Sequence, residues 1–209
     1  MRSYRKKWMK LQNVSVAASM LTQRLYAKFY GKCGVLNTMS AVRRNFADSL
    51  EPIIYWDASY AISYIIDTEL YHNECRLFRN RFKSEEILSV GSDLVYNELA
   101  FFLIKQALEE EGKKRRMYWL DVKRRQPDFI SQVMPDVEIK KNDLNNAILW
   151  LPTSEQVKEK TFQLMSDYSL LPTDAFHIAT ALENGVNSFV TLDEDFLSVD
   201  GIIVYTCLP

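Results

Sequence analysis

The chain has 209 residues, of which 47% are hydrophobic and 25% charged, as is typical of a soluble protein with a packed core. Three widely spaced cysteines without a CxxC pair, and the lack of an apolar run of about 18 residues, argue against a disulfide framework, a zinc knuckle and a membrane-spanning helix. The net charge of −1 is uneven, because residues 1–52 hold ten Lys or Arg and two acids, which leaves sixteen basic and twenty-five acidic residues after them. We therefore expect a protein of a reducing compartment, the cytoplasm, without a transmembrane segment.

Residues 1–51 form a basic, acid-poor segment ahead of the first predicted strand. Within it, residues 14–30 carry apolar side chains at helical spacing, which fits an amphipathic helix. Three interpretations stay open: a basic arm for nucleic acid or an anionic surface, an organelle transit peptide, or sequence upstream of a misassigned start, for which Met39 is a candidate. The simplest expectation is a poorly ordered extension that activity does not require, followed by one domain over residues 52–209.

From residue 52 onward, short apolar runs alternate with segments of helical periodicity. The first run, residues 53–56, predicts a strand that ends at Asp57, and Asp57 and Ser59 supply N-cap chemistry for the next helix. Further strands are predicted over residues 86–90, 186–190 and 202–205. Helices are predicted through residues 61–65, 71–83, 94–110, 117–124, 143–150 and 155–168, and after a cap at 172–174 to about residue 184.

Strands separated by one or two helices imply a parallel sheet that is covered on both faces. The predicted fold class is therefore α/β, a three-layer arrangement with a mainly parallel central sheet of four or five strands flanked by helices. The region 112–152 is richer in charge, and Pro127 and Pro135 are expected to separate its helices.

Four carboxylates stand where predicted strands and helices begin or end. Asp57 ends the first strand and Asp193 follows a later one, and ligands of parallel sheets collect outside the carboxyl ends of the strands. Glu98 and Asp174 lie near the starts of their helices. Each alone is an ordinary cap, turn or surface residue. Together, without a Cys/His cluster, they form the oxygen donor set that magnesium and manganese prefer, and a divalent cation would offset their repulsion and serve phosphodiester cleavage.

Four short stretches at these positions carry a resemblance to a known family. They are Asp57-Ala-Ser59, Asn97-Glu98-Leu99, Asp174-Ala-Phe-His-Ile-Ala-Thr-Ala181 and Thr191-Leu-Asp193-Glu-Asp195-Phe196. Over about residues 52–207 the chain resembles the PIN-domain nucleases, especially the VapC-like ribonucleases of bacterial toxin–antitoxin pairs, and a PIN-like fold is implied. The third stretch is the most specific of the four, and the second is weak alone.

The resemblance implies a magnesium- or manganese-dependent endoribonuclease that hydrolyses RNA phosphodiester bonds. The implied catalytic metal ligands are Asp57, Glu98, Asp174 and Asp193. Asp195 is the rival for the last place, because family members differ over which acid in that turn faces the metal. Supporting roles are implied for Ser59, Asn97 and Thr191. The choice of RNA, a cognate antitoxin and a homodimer are expectations from the family alone.

Two basic runs and one histidine are further candidates. The runs are candidates for contact with RNA phosphates, although charge runs are more often solvated faces. They comprise Lys113, Lys114, Arg115, Arg116, Lys123, Arg124 and Arg125. His177 follows Asp174 by three residues on a neighbouring helical face, and ordinary packing is favoured for it over contact with substrate or a carboxylate.

The alternative function is a non-catalytic PIN-like module that binds protein or RNA. The loss of one or two acids would favour this alternative, and all four are present. A nuclease for structured or damaged DNA is a second rival, but those relatives usually carry additional acids and larger insertions. The chain departs from compact members in the long segment before its first strand and in the charged region 112–152.

Overall fold

A single sheet of six parallel strands organises residues 40–209, the part of the chain that the computed structural model describes. The strands in chain order are β1 (Val42–Arg44), β2 (Ile53–Trp56), β3 (Leu88–Gly91), β4 (Leu149–Trp150), β5 (Ser188–Val190) and β6 (Ile203–Tyr205). Their order across the sheet is β1-β6-β5-β2-β3-β4, and every neighbouring pair is parallel. Because β2 and β5 lie side by side at the centre, the segments that follow these two strands meet at one edge of the sheet.

Seven α-helices within the described residues flank this sheet. They are α1 (Ala58–Ile65), α2 (His72–Ser84), α3 (Asp93–Arg115), α4 (Trp119–Arg125), α5 (Phe129–Asn145), α6 (Glu155–Tyr168) and α7 (Pro172–Glu183). A short 3-10 helix, Glu194–Ser198, follows β5. No helix of residues 40–209 is long and apolar enough to cross a membrane.

Side chains of β2 alternate between two cores, one on each face of the sheet. Tyr55 packs in one core with Val157 of α6 and Ile178 of α7. Trp56 packs in the other core, which includes Phe78 of α2. All four residues of β2 are buried, as expected for a central strand that is covered on both faces. The predicted three-layer α/β class is confirmed.

The predicted count of four or five strands was too low, because both edge strands were missed. β1 lies within the residues assigned to the extension, and it pairs with β6. Its two arginines and its exposed Val42 give no apolar run that would predict a strand. β4 has only two residues and pairs with β3. The amphipathic helix proposed for residues 14–30 lies outside the described residues.

One predicted helix, over residues 143–150, was wrong. Helix α5 ends at Asn145, and the last two residues of the predicted segment form β4. Pro135 was expected to separate two helices but lies inside α5. A proline in a helix interior costs about 3 kcal/mol, because it removes a hydrogen bond and its ring meets the preceding turn. The burial of Val137 and Leu144 on the same helix offsets part of this cost.

Candidate functional site

Asp57 lies at the carboxyl end of β2, where it also caps α1. The residue is only 4% exposed. Its Oδ2 accepts hydrogen bonds from the Ser59 N–H at 3.1 Å, the Ser59 hydroxyl at 2.5 Å and the Thr191 hydroxyl at 2.9 Å. Trp56 pairs with Val190 in the parallel sheet, and this register places Asp57 beside Thr191. The carboxylate is therefore held by three donors on a single oxygen.

The same two hydroxyls connect Asp57 to the loop after β5. Ser59 Oγ accepts a hydrogen bond from the Leu192 N–H at 2.9 Å. Thr191 Oγ1 accepts one from the Asp193 N–H at 2.9 Å. Two of the three residues predicted to support the site thus contact both Asp57 and the segment that carries Asp193.

Three further carboxylates gather at this edge of the sheet. Asp174, Asp193 and Asp195 each offer an oxygen, and these oxygens all lie within 4.8 Å of one another. Asp174 is the third residue of α7, and the N-cap position belongs to Leu171, so the cap predicted at residues 172–174 lies one residue earlier. Asp193 caps the 3-10 helix by accepting a hydrogen bond from the Asp195 N–H at 2.9 Å. Both rivals for the last ligand position are therefore brought to the cluster.

These carboxylates repel one another, and the effect is largest at Asp174. Partial burial, followed by the charges of Asp193 and Asp57, raises the pKa of Asp174 to about 6. Partial burial also raises the pKa of Asp193, with Asp195 and Asp57 adding to the effect. The protein alone therefore leaves the negative charge of this cluster incompletely compensated.

Glu98 joins the site through a buried histidine. His177 Nε2–H donates to Glu98 Oε1 at 2.8 Å and lies 3.6 Å from Asp57 Oδ1. Its Nδ1 is 2.8 Å from the Tyr55 hydroxyl, which in turn lies 2.8 Å from Ser92 Oγ. Burial disfavours the imidazolium, but the hydrogen bond to Glu98 and the nearby Asp57 outweigh it and raise the pKa of His177. The histidine thus connects two of the predicted ligands, Asp57 and Glu98, which do not belong to the group of three.

Ordinary packing is an incomplete description of His177. The side chain is fully buried, but both ring nitrogens have polar partners. Tyr55 was not predicted from the sequence as a residue of the site. The available signal was its position on a wholly apolar strand, where a buried hydroxyl requires a hydrogen-bond partner. Asn97 was also predicted to support the site, but it is exposed on α3, and its side chain makes no hydrogen bond within residues 40–209.

The first basic run lies far from Glu98 along α3. Helix α3 continues to Arg115, and its rise of 1.5 Å per residue puts Lys113 roughly 22 Å from Glu98 along the axis. Glu111 pairs with Arg115 at 2.5 Å and with Lys114 at 3.8 Å. On α4, the second run is likewise partly engaged by an ion pair within its own helix. Contact with RNA at these runs stays a prediction.

The donor chemistry of the cluster fits a divalent cation. All its candidate ligands are carboxylate oxygens, which hard cations such as Mg²⁺ and Mn²⁺ prefer. Burial and the neighbouring acids raise the pKa of Asp174, and a cation bound among these groups would favour their ionised forms.

Comparison with known proteins identifies the fold family. Residues 54–202 match the family model described as the PIN domain, and PIN domains are typically metal-dependent nucleases. No curated protein matches the chain. The matched region begins within β2 and contains all five acidic residues of the candidate site. Because it covers more than half of the sequence, the chain belongs to the PIN domain family.

Proposed function

We propose that this protein is a divalent-metal-dependent endoribonuclease and the toxin of a toxin–antitoxin pair. The observation that carries the proposal is the group formed by Asp174, Asp193 and Asp195, whose oxygens lie within 4.8 Å of one another. Asp57 lies near enough to this group to raise the pKa of Asp174. Such a concentration of carboxylates is costly to a folded protein unless a cation binds there.

The proposed metal ligands are Asp57, Glu98, Asp174 and Asp193, with Asp195 as the rival for the last position. When bound, Mg²⁺ or Mn²⁺ supplies a Lewis acid that polarises a phosphoryl oxygen and lowers the pKa of a water molecule. The remaining contributions come from the protein, which must hold these carboxylates in place before the substrate binds.

Hydrogen bonds within the protein orient the carboxylates of Asp57 and Glu98. Ser59 and Thr191 hold Oδ2 of Asp57, which leaves Oδ1 as the oxygen on the side of His177. His177 holds Oε1 of Glu98, and its other nitrogen is fixed against the Tyr55 hydroxyl. Such outer partners fix the orientation of metal ligands, and their loss typically lowers affinity or activity 10- to 100-fold.

The choice of RNA and of partners rests on the resemblance to VapC-like ribonucleases. We propose RNA as the substrate, with the basic runs at the ends of α3 and α4 contacting phosphates away from the cleavage point. An unrestrained ribonuclease would damage its own cell, so a cognate antitoxin that blocks the acidic site is part of the proposal. A homodimer is the proposed assembly.

The test is cleavage of a mixed RNA pool by the purified full chain, free of any antitoxin, with Mg²⁺ or Mn²⁺. An Asp174→Asn variant and an EDTA sample should both be inactive, while Asp136→Asn, which removes an exposed acid on α5, should retain activity. A DNA pool assayed in parallel tests the choice of substrate. Cleavage that survives in Asp174→Asn would reject the site, and an intact, metal-binding protein that cuts neither pool would favour the non-catalytic module.

A further inference from the structure

A second charged site, of opposite sign, lies between α2, α5 and the end of α1. It is a cavity of about 440 Å³, and four cationic side chains line it. Arg76, Arg79 and Lys83 come from one face of α2, because residues three and seven positions apart on a helix share a face. Lys140 faces them from α5. We propose that this basic cavity binds a small ligand that carries one or two phosphate groups.

The cations of the basic cavity form no ion pairs within the described residues. Within residues 40–209, none of the four has a carboxylate oxygen within 4.0 Å, in contrast to Arg81 on the same helix, Arg115 on α3 and Lys158 on α6. Two acids, Asp67 and Asp143, also line the cavity, so cations outnumber carboxylates by four to two. A cavity with this excess attracts anions, and it does so more strongly than an open surface because its walls exclude part of the solvent.

Packing rather than ion pairing fixes the central cation, Arg79. Its guanidinium carbon lies 5.4 Å from the centroid of the Trp56 ring and 6.0 Å from that of Phe82. One terminal nitrogen donates to the Ala147 carbonyl at 3.1 Å. Its Nε is buried and has no hydrogen-bond acceptor in the described part of the chain. The guanidinium is thus held in place by packing and by one hydrogen bond, and its other terminal nitrogen makes no hydrogen bond within residues 40–209.

The chemistry of the lining favours phosphate over a carboxylate ligand. Guanidinium groups present a planar fork of donors that matches phosphate oxygens, and two arginines lie on the same face of α2 here. The two lysines add compact charges, one from each helix, as suits a ligand with more than one negative charge. The volume lies within the usual range for small-molecule sites of about 300–1,000 Å³.

The basic cavity is separate from the acidic edge. None of the five candidate metal-ligating acids lines it. It lies on the face of the sheet that α1, α2 and α5 cover, and the proposal does not depend on nuclease activity. The opposite face of the sheet carries α6, and its Lys158 and Lys160 lie outside the cavity. These two lysines provide a control for the loss of positive charge.

Binding of pyrophosphate and of orthophosphate to the full chain, measured by isothermal titration calorimetry in metal-free buffer, tests the proposal. The variant Arg76→Gln/Lys83→Gln removes two exposed cations from the cavity and spares the core. The control Lys158→Gln/Lys160→Gln removes the same charge from α6. We expect the cavity variant to bind at least about tenfold more weakly than wild type, as the loss of charge-assisted hydrogen bonds implies, and the control to match wild type.

A second probe separates a small ligand from an RNA backbone. The cavity and control substitutions are each combined with Asp174→Asn, and a short single-stranded RNA is titrated into these two proteins, again without divalent metal. Loss of pyrophosphate binding in the cavity variant alone, with RNA binding equal in both, supports the proposal. Equal affinities of the cavity variant and wild type for both phosphates, the absence of phosphate binding to wild type, or an effect confined to RNA would overturn it. Circular dichroism and thermal unfolding confirm that each variant is folded.

Discussion

The acidic site has an inner part, Asp57 and Glu98, and an outer part, Asp174, Asp193 and Asp195. The protein stabilises the negative charge of these two parts to different extents. In the inner part, Asp57 receives three hydrogen bonds on one oxygen and Glu98 receives one from His177. In the outer part, the Asp174 carboxylate receives none from residues 40–209, and its pKa is raised to about 6 by burial and by neighbouring acids. The protein's own hydrogen bonds therefore hold the carboxylates of Asp57 and Glu98, whereas Asp174 has no such partner within residues 40–209.

The largest expected effect comes from removing the charge of Asp174, in the outer part of the site. On the proposed function, Asp174→Asn should lower the rate of RNA cleavage by about a hundredfold or more, because a proposed metal ligand loses its charge. Initial cleavage rates at saturating Mg²⁺ measure this, with Asp136→Asn beside it as an exposed replacement of the same type on α5. A rate within a few-fold of wild type would remove Asp174 from the catalytic set.

Substituting His177, which connects Asp57 to Glu98, should have the next largest effect. His177→Gln should weaken the binding of Mn²⁺ by about 10- to 100-fold, as the loss of a residue that orients a ligand typically does. Electron paramagnetic resonance of free Mn²⁺ reports this affinity without relying on activity. The other histidine, His72, makes its contact with the Ser63 carbonyl and offers the matched control His72→Gln. Equal affinities in the two variants would show that His177 only fills space.

Loss of a donor in the inner part should reduce stability. Thr191→Val preserves the shape of a fully buried side chain but removes one of the three donors to the buried Asp57. The expected decrease in the free energy of unfolding is about 1–3 kcal/mol, measured by urea denaturation without metal. The exposed Thr153 allows Thr153→Val as a comparison, and its stability should stay within about 0.5 kcal/mol of wild type. An unchanged Thr191→Val would mean that Asp57 does not need this hydroxyl.

The smallest expected effect is a pH-dependent gain in stability when the repulsion of the outer part is removed. The folded pKa of Asp174 is about 6, above its ordinary value of 3.8, so folding favours the protonated form. Stability from this group is therefore present below pH 4 and is lost as the pH rises through about 6. Because Asn cannot ionise, metal-free Asp174→Asn should gain stability relative to wild type between pH 4 and pH 7.

The size of this gain is limited by solvent screening, since Asp174 is only partly buried. We expect a rise in Tm of at most about 2–4 °C, which corresponds to about 1 kcal/mol in a domain of this size. Thermal unfolding at both pH values in metal-free buffer gives the difference. A Tm difference that is the same at pH 4 and pH 7 would contradict the raised pKa.

The sequence predicted the fold class well because its strongest signals come from the buried centre of the sheet. β2 is wholly apolar and ends at an acid, and both facts are visible in a single short stretch. The edge strands β1 and β4 have two or three partly exposed residues, too few for a periodic pattern. The uninterrupted course of α5 through Pro135 depends on packing, which local propensity does not report.

The candidate site was predictable in its residue types but not in its connections. The acids could be placed at one edge because the carboxyl ends of parallel strands meet there. The pairing of His177 with Glu98 joins α7 to α3 across 79 positions of sequence, and no local spacing indicates it. The division into an inner and an outer part likewise depends on hydrogen bonds that form only in the folded chain. The metal-binding roles of these residues stay predictions.

The register between β2 and β5 has a consequence for how this protein can vary. Asp57 and Thr191 meet because each directly follows one of two paired residues, Trp56 and Val190, in neighbouring strands. A one-residue insertion or deletion within either strand would turn one of these side chains to the opposite face of the sheet. The segment from α4 to β4 lies outside this pair of strands, and a change in the length of its connecting loops would leave the register between β2 and β5 intact. Variation in substrate or partner is therefore expected to accumulate in residues 117–150, around an acidic edge whose spacing stays constant.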